Sequence, residues 1–225
     1  MMASKVQVED KSLVIFDMDG LFFDSERIYA EGWKKGFNTF GISVSDEFIY
    51  SMAGKSAQDN NLAISKFLDD AALQAVRDIR ENYFYQKLAE NKVPTSYFAV
   101  EMGTFLKKAG YQIALASSSN DQRVYELLKS KELCRFFNYV VTGDQVEFLK
   151  PAPDLYNKVL DLAGKLPGDA LAFEDSLTGA KAAKNAGIDV CLVSKELTQT
   201  LSNLKKYQGV FPDLKAAYKS IFNRD

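Results

Sequence analysis

Side chains that can act as nucleophiles, acids, bases or metal ligands follow several short apolar segments of the chain. The first of these segments, Leu13–Phe16, leads directly into Asp17, Asp19 and Gly20. A carboxylate in such a place can attack an electrophile or exchange a proton. Aspartate and glycine are also frequent in ordinary turns, so this turn alone does not define a site.

Later apolar segments are also followed by polar side chains. In chain order these are Ser117, Ser118, Asn120, Lys150, Glu174 and Asp175. Each has a structural alternative: serine and asparagine cap helices, a loop lysine is commonly solvated, and adjacent acids are favoured at helix N-termini. It is their shared position after apolar segments that indicates a single site.

The four carboxyl groups of this set would repel one another if the fold brought them together without a cation. Oxygen ligands without histidine or thiolate favour a hard ion, and Mg²⁺ is the usual choice where phosphate is handled. Lys150 could then offset negative charge on a bound phosphate and on the nucleophile. The sequence therefore predicts a Mg²⁺ site.

The composition excludes several other chemistries. The 225 residues include no histidine, so Ser-His-Asp catalysis, Cys-His catalysis and histidine-ligated zinc are absent. The two cysteines, Cys134 and Cys191, cannot form a four-thiolate metal site, and we expect both to be buried in a reducing compartment. The formal net charge of −2 disfavours nucleic-acid binding.

The sequence also lacks a recognisable membrane or export signal. Residues Met1–Ser12 are polar, unlike a signal peptide, and no apolar run approaches the roughly 18 residues of a membrane span. We therefore expect a cytoplasmic protein that binds neither nucleic acid nor membranes.

The apolar segments predict a parallel sheet. Their nearly continuous hydrophobicity suits strands that are buried on both faces, and amphipathic segments separate most of them, which indicates a doubly wound α/β fold. The predicted strands are Leu13–Phe16, Ile113–Ala116, Tyr139–Val141, Leu171–Phe173 and Val190–Val193, with a weaker one at Gly209–Phe211. The predicted helices between them are Glu101–Ala109, Gln122–Lys129, Pro153–Ala163 and Thr178–Ala186. Ligands of such folds bind beyond the carboxyl ends of the strands, where the polar set should lie.

One long interval interrupts this alternation. It contains only helical patterns: Ser25–Phe40, Asp46–Met52, Asp59–Leu68 and Ala71–Leu88. We therefore predict an α/β core domain (residues 1–22 and 94–225) that carries an inserted helical domain (residues 23–93). The helical spacing of Trp33, Phe37 and Phe40 predicts that they form the core of the insertion.

Four motifs in series resemble those of the haloacid dehalogenase-like superfamily, in its β-phosphoglucomutase and sugar-phosphate phosphatase branch. The motifs are FDMDG (Phe16–Gly20), ASSSN (Ala116–Asn120), LKPAPD (Leu149–Asp154) and FEDS (Phe173–Ser176). The agreement extends from Leu13 to Val193. The resemblance implies a Rossmann-like core, a C1-type helical cap and a monomer.

The resemblance also implies a role for each motif residue. Asp17 would be the nucleophile that forms an aspartyl-phosphate, and Asp19 would be the acid and base. Ser117 and Lys150 would bind the phosphoryl group, with Gly20, Ser118 and Asn120 as further substrate-binding positions. Mg²⁺ would be held by Asp17, the backbone carbonyl of Asp19, Asp175 and, directly or through water, Glu174.

Caps of this family close over the site and contact the substrate, and we expect the same here. The candidate contributors are Arg27, Tyr29, Lys55, Arg80 and Asn82. For each of them, a solvated helix face is the structural alternative.

The motifs also bear on the reaction. Dehalogenases of the superfamily do not need an acid–base aspartate, because halide leaves unprotonated, so Asp19 indicates phosphate esters. β-Phosphoglucomutases carry a cap G-x-x-R motif and a histidine; here Ala57 stands in place of the arginine and Tyr29 near the place of the histidine. We therefore predict a Mg²⁺-dependent phosphatase for a small phosphorylated metabolite such as a sugar phosphate.

Three alternatives remain open at this point. A β-phosphoglucomutase-type phosphotransferase is the first. A phosphoaspartate receiver also uses strand-end Asp, Ser or Thr and Lys, but it lacks the helical insertion. A catalytically silent binding protein is the third.

Overall fold

The computed structural model describes residues 8, 10–52, 57–200 and 207–222, without the side chains of residues 57–59 and 200. The chain divides into two compact units. One comprises Met1–Phe23 and Thr95–Asp225, and the other comprises Asp24–Pro94. The two junctions each lie one residue beyond the predicted domain boundaries.

The first unit is built on a six-stranded sheet in which every strand pair is parallel. Its order is β3-β2-β1-β4-β5-β6. The strands are β1 (Leu13–Phe16), β2 (Gln112–Ala116), β3 (Tyr139–Val141), β4 (Ala170–Glu174), β5 (Asp189–Val193) and β6 (Gly209–Phe211). The predicted α/β class with a doubly wound parallel sheet is confirmed.

Strand β1 lies at the centre of the sheet, where the strand order reverses. Phe16 at its end pairs with Leu115 of β2 on one side and with Phe173 of β4 on the other. The four residues of β1 are completely buried. Because β2 and β4 each end one residue beyond the partner of Phe16, the residues that follow these three strands emerge at the same edge of the sheet.

The second unit is helical. Its helices are α1 (Glu26–Thr39), α2 (Asp46–Tyr50), α3 (Ala57–Ile64) and α4 (Asp70–Ala89). Helices α1 and α4 pack together, and the rings of Tyr29 and Phe84 stack across them with centroids 4.9 Å apart. Trp33 and Phe37 are buried in the core of this unit, as predicted. Phe40 is 41% exposed instead, because it lies just beyond the last turn of α1.

The helices of the first unit follow the strands in sequence. They are α5 (Ala99–Lys108), α6 (Asp121–Ser130), α7 (Asp154–Ala163), α8 (Leu177–Asn185), α9 (Lys195–Thr200) and α10 (Leu214–Phe222). Asn120 caps α6 by accepting a hydrogen bond from the backbone N–H of Arg123, and Ser176 caps α8 in the same way through Gly179. These caps fix where each helix begins, directly after a strand-end loop.

The cysteine prediction is only half right. Cys191 is buried in β5, but Cys134 is exposed. Cys134 lies in the connection between α6 and β3, outside the strands of the buried sheet. Among the described residues, no helix combines the length and apolar character needed to cross a membrane.

Candidate active site

The turn after β1 folds back on itself and presents two carboxylates. The backbone N–H groups of Phe22 and Phe23 both donate to the carbonyl of Met18, at 3.0 and 2.9 Å. Gly20 has a φ of 83°, a conformation that favours glycine, and its N–H donates to the carbonyl of Phe23. Asp17 therefore leaves the strand in a fixed direction, with Asp19 two residues further along the same turn.

Lys150 joins the ends of the three central strands. Its ammonium group donates to Asp17 Oδ1, to Glu174 Oε1 at 2.7 Å and to the backbone carbonyl of Ala116 at 3.0 Å. The side chains of Lys150, Asp17 and Glu174 are 8%, 12% and 1% exposed. The structure thus brings together groups that lie far apart in the sequence.

Burial and neighbouring charges shift the pKa values of Asp17 and Lys150. Burial raises the pKa of Asp17 to about 7; the nearby Glu174 carboxylate adds to the shift, while the Lys150 ammonium opposes it. Burial alone would lower the pKa of Lys150, but the carboxylates of Asp17 and Glu174 raise it well above its usual value. Lys150 is therefore a permanent cation at neutral pH.

Three carboxylates are placed as a ligand set for a cation. Oxygen atoms of Asp17, Glu174 and Asp175 all lie within 4.8 Å of one another. Glu174 Oε2 is buried and has no hydrogen-bond partner among the described residues. With all three carboxylates ionised, one ammonium group would leave two negative charges uncompensated. A hard divalent cation suits this all-oxygen donor set and its charge.

The side chain of Asp19 is not part of this carboxylate cluster. Its Oδ1 accepts a hydrogen bond from Arg123 Nη2 at 2.7 Å, and its Oδ2 accepts one from Ser119 Oγ at 2.9 Å. Arg123 and Ser119 were absent from the predicted site residues. The predicted metal contact of Asp19 is through its backbone carbonyl and stays a prediction.

The serine loop after β2 lies beside the first turn. Ser117 is buried, and its hydroxyl oxygen accepts a hydrogen bond from the N–H of Ser119 at 3.0 Å. Ser118 and Asn120 are exposed, and Asn120 serves as the cap of α6. Asn120 therefore caps a helix, which was the structural alternative for this residue. Its contact with the substrate stays a prediction.

Tyr156 is a further residue that the sequence did not single out. It is fully buried in the first turn of α7, and its hydroxyl donates to Glu174 Oε1. Burial and the Glu174 carboxylate raise its pKa well above the usual value, so the hydroxyl keeps its proton. Tyr156 lies two positions after the LKPAPD motif, but no sequence pattern predicts that its hydroxyl contacts Glu174.

Gly179 at the start of α8 makes room for the Glu174 carboxylate. A β-carbon at this position would lie 2.0 Å from Glu174 Oε2 and 2.2 Å from Oε1. No side chain can occupy that space unless Glu174 moves. A glycine is therefore required at position 179 by the close approach of Glu174.

The candidate cap residues lie in the helical unit. Arg27 is exposed and forms an ion pair with Glu31 at 3.4 Å, while Asn82 is also exposed. The guanidinium of Arg80 lies over the ring of Trp33, 4.6 Å from its centroid, and also over Tyr29. Lys55 lies outside the described residues. The substrate contacts of these residues stay predictions.

The sequence matches an established protein family. A model of the haloacid dehalogenase-like hydrolase family matches residues 14–193. This chain belongs to the haloacid dehalogenase-like hydrolases, which confirms the resemblance carried by the four motifs and the predicted enzyme class.

Two relatives illustrate the similarity. A protein named phosphorylated carbohydrates phosphatase, from Thermotoga maritima, is 30% identical over 181 residues, which cover 78% of this chain and 82% of the relative. Pyrophosphatase PpaX from Bacillus cereus is 28% identical over 182 residues, with coverage of 80% and 82%.

A solved structure shows the same fold. CbbY from Rhodobacter sphaeroides, in complex with phosphate, superposes with a TM-score of 0.74 at 20% identity. The match covers 90% of this chain and 94% of CbbY. At this level of identity, the likeness supports the fold alone.

Proposed function

We propose that this hydrolase is a Mg²⁺-dependent phosphatase that removes phosphate from a small phosphomonoester through an aspartyl-phosphate intermediate. The observation that carries the proposal is the carboxylate cluster of Asp17, Glu174 and Asp175, bridged by Lys150 at the carboxyl ends of β1 and β4. Membership of the hydrolase family and the names of the relatives support a phosphatase.

In the first proposed step, an oxygen of Asp17 attacks the phosphorus atom and the ester oxygen leaves. Lys150 and Ser117 would hold the phosphoryl oxygens, with Lys150 contributing a charge-assisted hydrogen bond. Asp19 would donate its proton to the leaving alcohol, so that no alkoxide is released. A bound divalent cation would supply positive charge to the phosphoryl oxygens and reduce repulsion between nucleophile and substrate.

In the second proposed step, water attacks the aspartyl-phosphate. Asp19, now ionised, would accept a proton from that water, and Asp17 would be released as a carboxylate with inorganic phosphate as the product. Splitting one displacement into two easier ones is the advantage of a covalent route. Lys150 would offset negative charge throughout both steps, and Asp175 and Glu174 would hold the cation.

The proposed substrate is a phosphorylated sugar or a similar small metabolite. The name of the Thermotoga maritima relative supports a carbohydrate phosphate. The proposed role of unit Asp24–Pro94 is that of a substrate-contacting cap. We also propose a cytoplasmic monomer that binds neither nucleic acid nor membranes.

Phosphate release from a panel of phosphorylated metabolites should depend on Mg²⁺. We expect turnover of at least one sugar phosphate with Mg²⁺, and loss of turnover when EDTA removes the cation, because the carboxylates would then repel the substrate. Calcium, which is larger and accepts looser coordination, serves as the control cation. Full activity in EDTA would contradict the proposal.

The mutase alternative can be separated with one substrate. β-Glucose 1-phosphate, with a trace of the bisphosphate, yields glucose 6-phosphate with a mutase and stoichiometric phosphate with a phosphatase. The family assignment leaves the receiver alternative without support. A long-lived adduct from acetyl phosphate without turnover would restore it.

Tyr156→Phe should weaken metal binding while leaving the core packed. The change removes the hydroxyl that donates to Glu174 but keeps the ring. Loss of such a supporting hydrogen bond typically costs about 10-fold in metal affinity, and we expect a loss of that size for Mg²⁺. Titration calorimetry measures the affinity directly.

Tyr125→Phe is the matched control, because Tyr125 is 44% exposed on α6. Equal Mg²⁺ affinities for both variants and the wild type would show that the Tyr156 hydroxyl does not support the metal site.

A further inference from the structure

Asp19 is held from two sides by residues to which no role has been assigned. Arg123 Nη2 donates to its Oδ1 at 2.7 Å, and Ser119 Oγ donates to its Oδ2 at 2.9 Å. The Arg123 side chain is 13% exposed and that of Asp19 is 28% exposed. The planar guanidinium carries only donors, in a fixed fork geometry, so Arg123 can only donate to Asp19.

Both donors are themselves held in place by the loop between β2 and α6. The N–H of Arg123 donates to the side chain of its cap, Asn120, at 2.9 Å. The N–H of Ser119 donates to Ser117 Oγ at 3.0 Å, and the carbonyl of Ser119 accepts from the N–H of Gly143 at 2.8 Å. The positions of the two donors are therefore set by the backbone around them.

We infer that Arg123 is a positioning residue for Asp19, and that Arg123 and Ser119 together hold this carboxylate in the orientation needed for proton transfer. A carboxylate can accept hydrogen bonds on both of its oxygens, and here a donor fixes the direction of each oxygen. Holding a reacting group in one geometry lowers the entropic cost of reaching the transition state. This inference rests on the proposed function, because it requires Asp19 to act as acid and base.

The test compares two substrates on Arg123→Met. An alkyl phosphate needs its leaving oxygen protonated, whereas p-nitrophenyl phosphate releases a stable phenolate without a proton. The value of kcat/KM reports only the steps up to the first irreversible one, which here is the transfer to Asp17. We expect kcat/KM for the alkyl phosphate to fall by about 10- to 100-fold. For p-nitrophenyl phosphate, we expect kcat/KM of Arg123→Met to stay close to that of the wild type.

Three further variants separate positioning from a general structural effect. Arg123→Lys should recover part of the loss, because one charged donor remains. Ser119→Ala removes the other donor and should show the same substrate dependence, which keeps the test valid if Arg123→Met does not fold. Arg135→Met removes an exposed arginine of the same unit and should change neither value.

A double variant completes the test. Asp19→Asn with Arg123→Met should be no worse on the alkyl phosphate than Asp19→Asn alone, because Arg123 acts only through Asp19. Additive losses, or equal losses on both substrates, would overturn the inference. If Asp19→Asn alone showed no preference for p-nitrophenyl phosphate, the acid–base role in the proposed function would be wrong instead.

Discussion

Asp17→Asn is expected to abolish phosphate release, lowering kcat by at least about 10⁴-fold, as removal of a covalent nucleophile does in other enzymes. An amide oxygen is a far weaker nucleophile than a carboxylate and is a poorer ligand for a hard cation. The fold should survive, because asparagine has nearly the same shape and can still accept a hydrogen bond from Lys150. Mass spectrometry of acid-quenched enzyme should find one phosphoryl group on the wild type and none on the variant.

Asp161→Asn is the control for this prediction, since Asp161 is an exposed carboxylate of α7. It should retain wild-type turnover and the phosphoryl adduct. Substantial turnover by Asp17→Asn, or an adduct mapped to another residue, would contradict the covalent mechanism.

Lys150→Met is expected to damage both stability and catalysis. The ammonium group is buried between Asp17 and Glu174, and its removal leaves two buried carboxylates without their counter-charge. Breaking such a buried arrangement typically costs about 3–5 kcal/mol, and we expect a loss of that order in the free energy of unfolding. Loss of a donor to the phosphoryl oxygens should lower kcat by about 10²- to 10³-fold.

Denaturant unfolding and steady-state kinetics measure these two effects separately. Lys158→Met removes an exposed lysine of α7 and should leave both quantities unchanged. An unaltered unfolding free energy for Lys150→Met would show that the carboxylates do not depend on this charge.

The strands could be predicted closely, because a buried parallel sheet leaves a clear apolar signal. β1, β3 and β6 have the predicted bounds. β4 extends beyond its predicted end because Glu174 pairs with Leu192 inside the sheet, and a charged residue is read from sequence as the end of a strand. Helix α10 was missed, although Leu214, Ala217 and Ile221 have the spacing of a buried helix face.

The candidate site was predictable in its residue types but not in its internal contacts. Lys150 and Glu174 lie beside Asp17 because parallel strands end at one edge of a sheet, which the βα alternation already implied. The pairing of Arg123 with Asp19 joins residues 104 positions apart. Whether Arg123 reaches Asp19 depends on how the loop between β2 and α6 packs, and the periodicity of apolar residues does not predict loop packing.

The lack of space between position 179 and the Glu174 carboxylate also limits which substitutions related proteins can accept at this position. A side chain at position 179 would have to displace the carboxylate, so drift at this position would be removed by selection even if the helix itself tolerated the change. Under the proposed role of the helical unit as a cap, new substrate preferences would arise through changes in that unit, whereas a side chain at position 179 would require Glu174 to move.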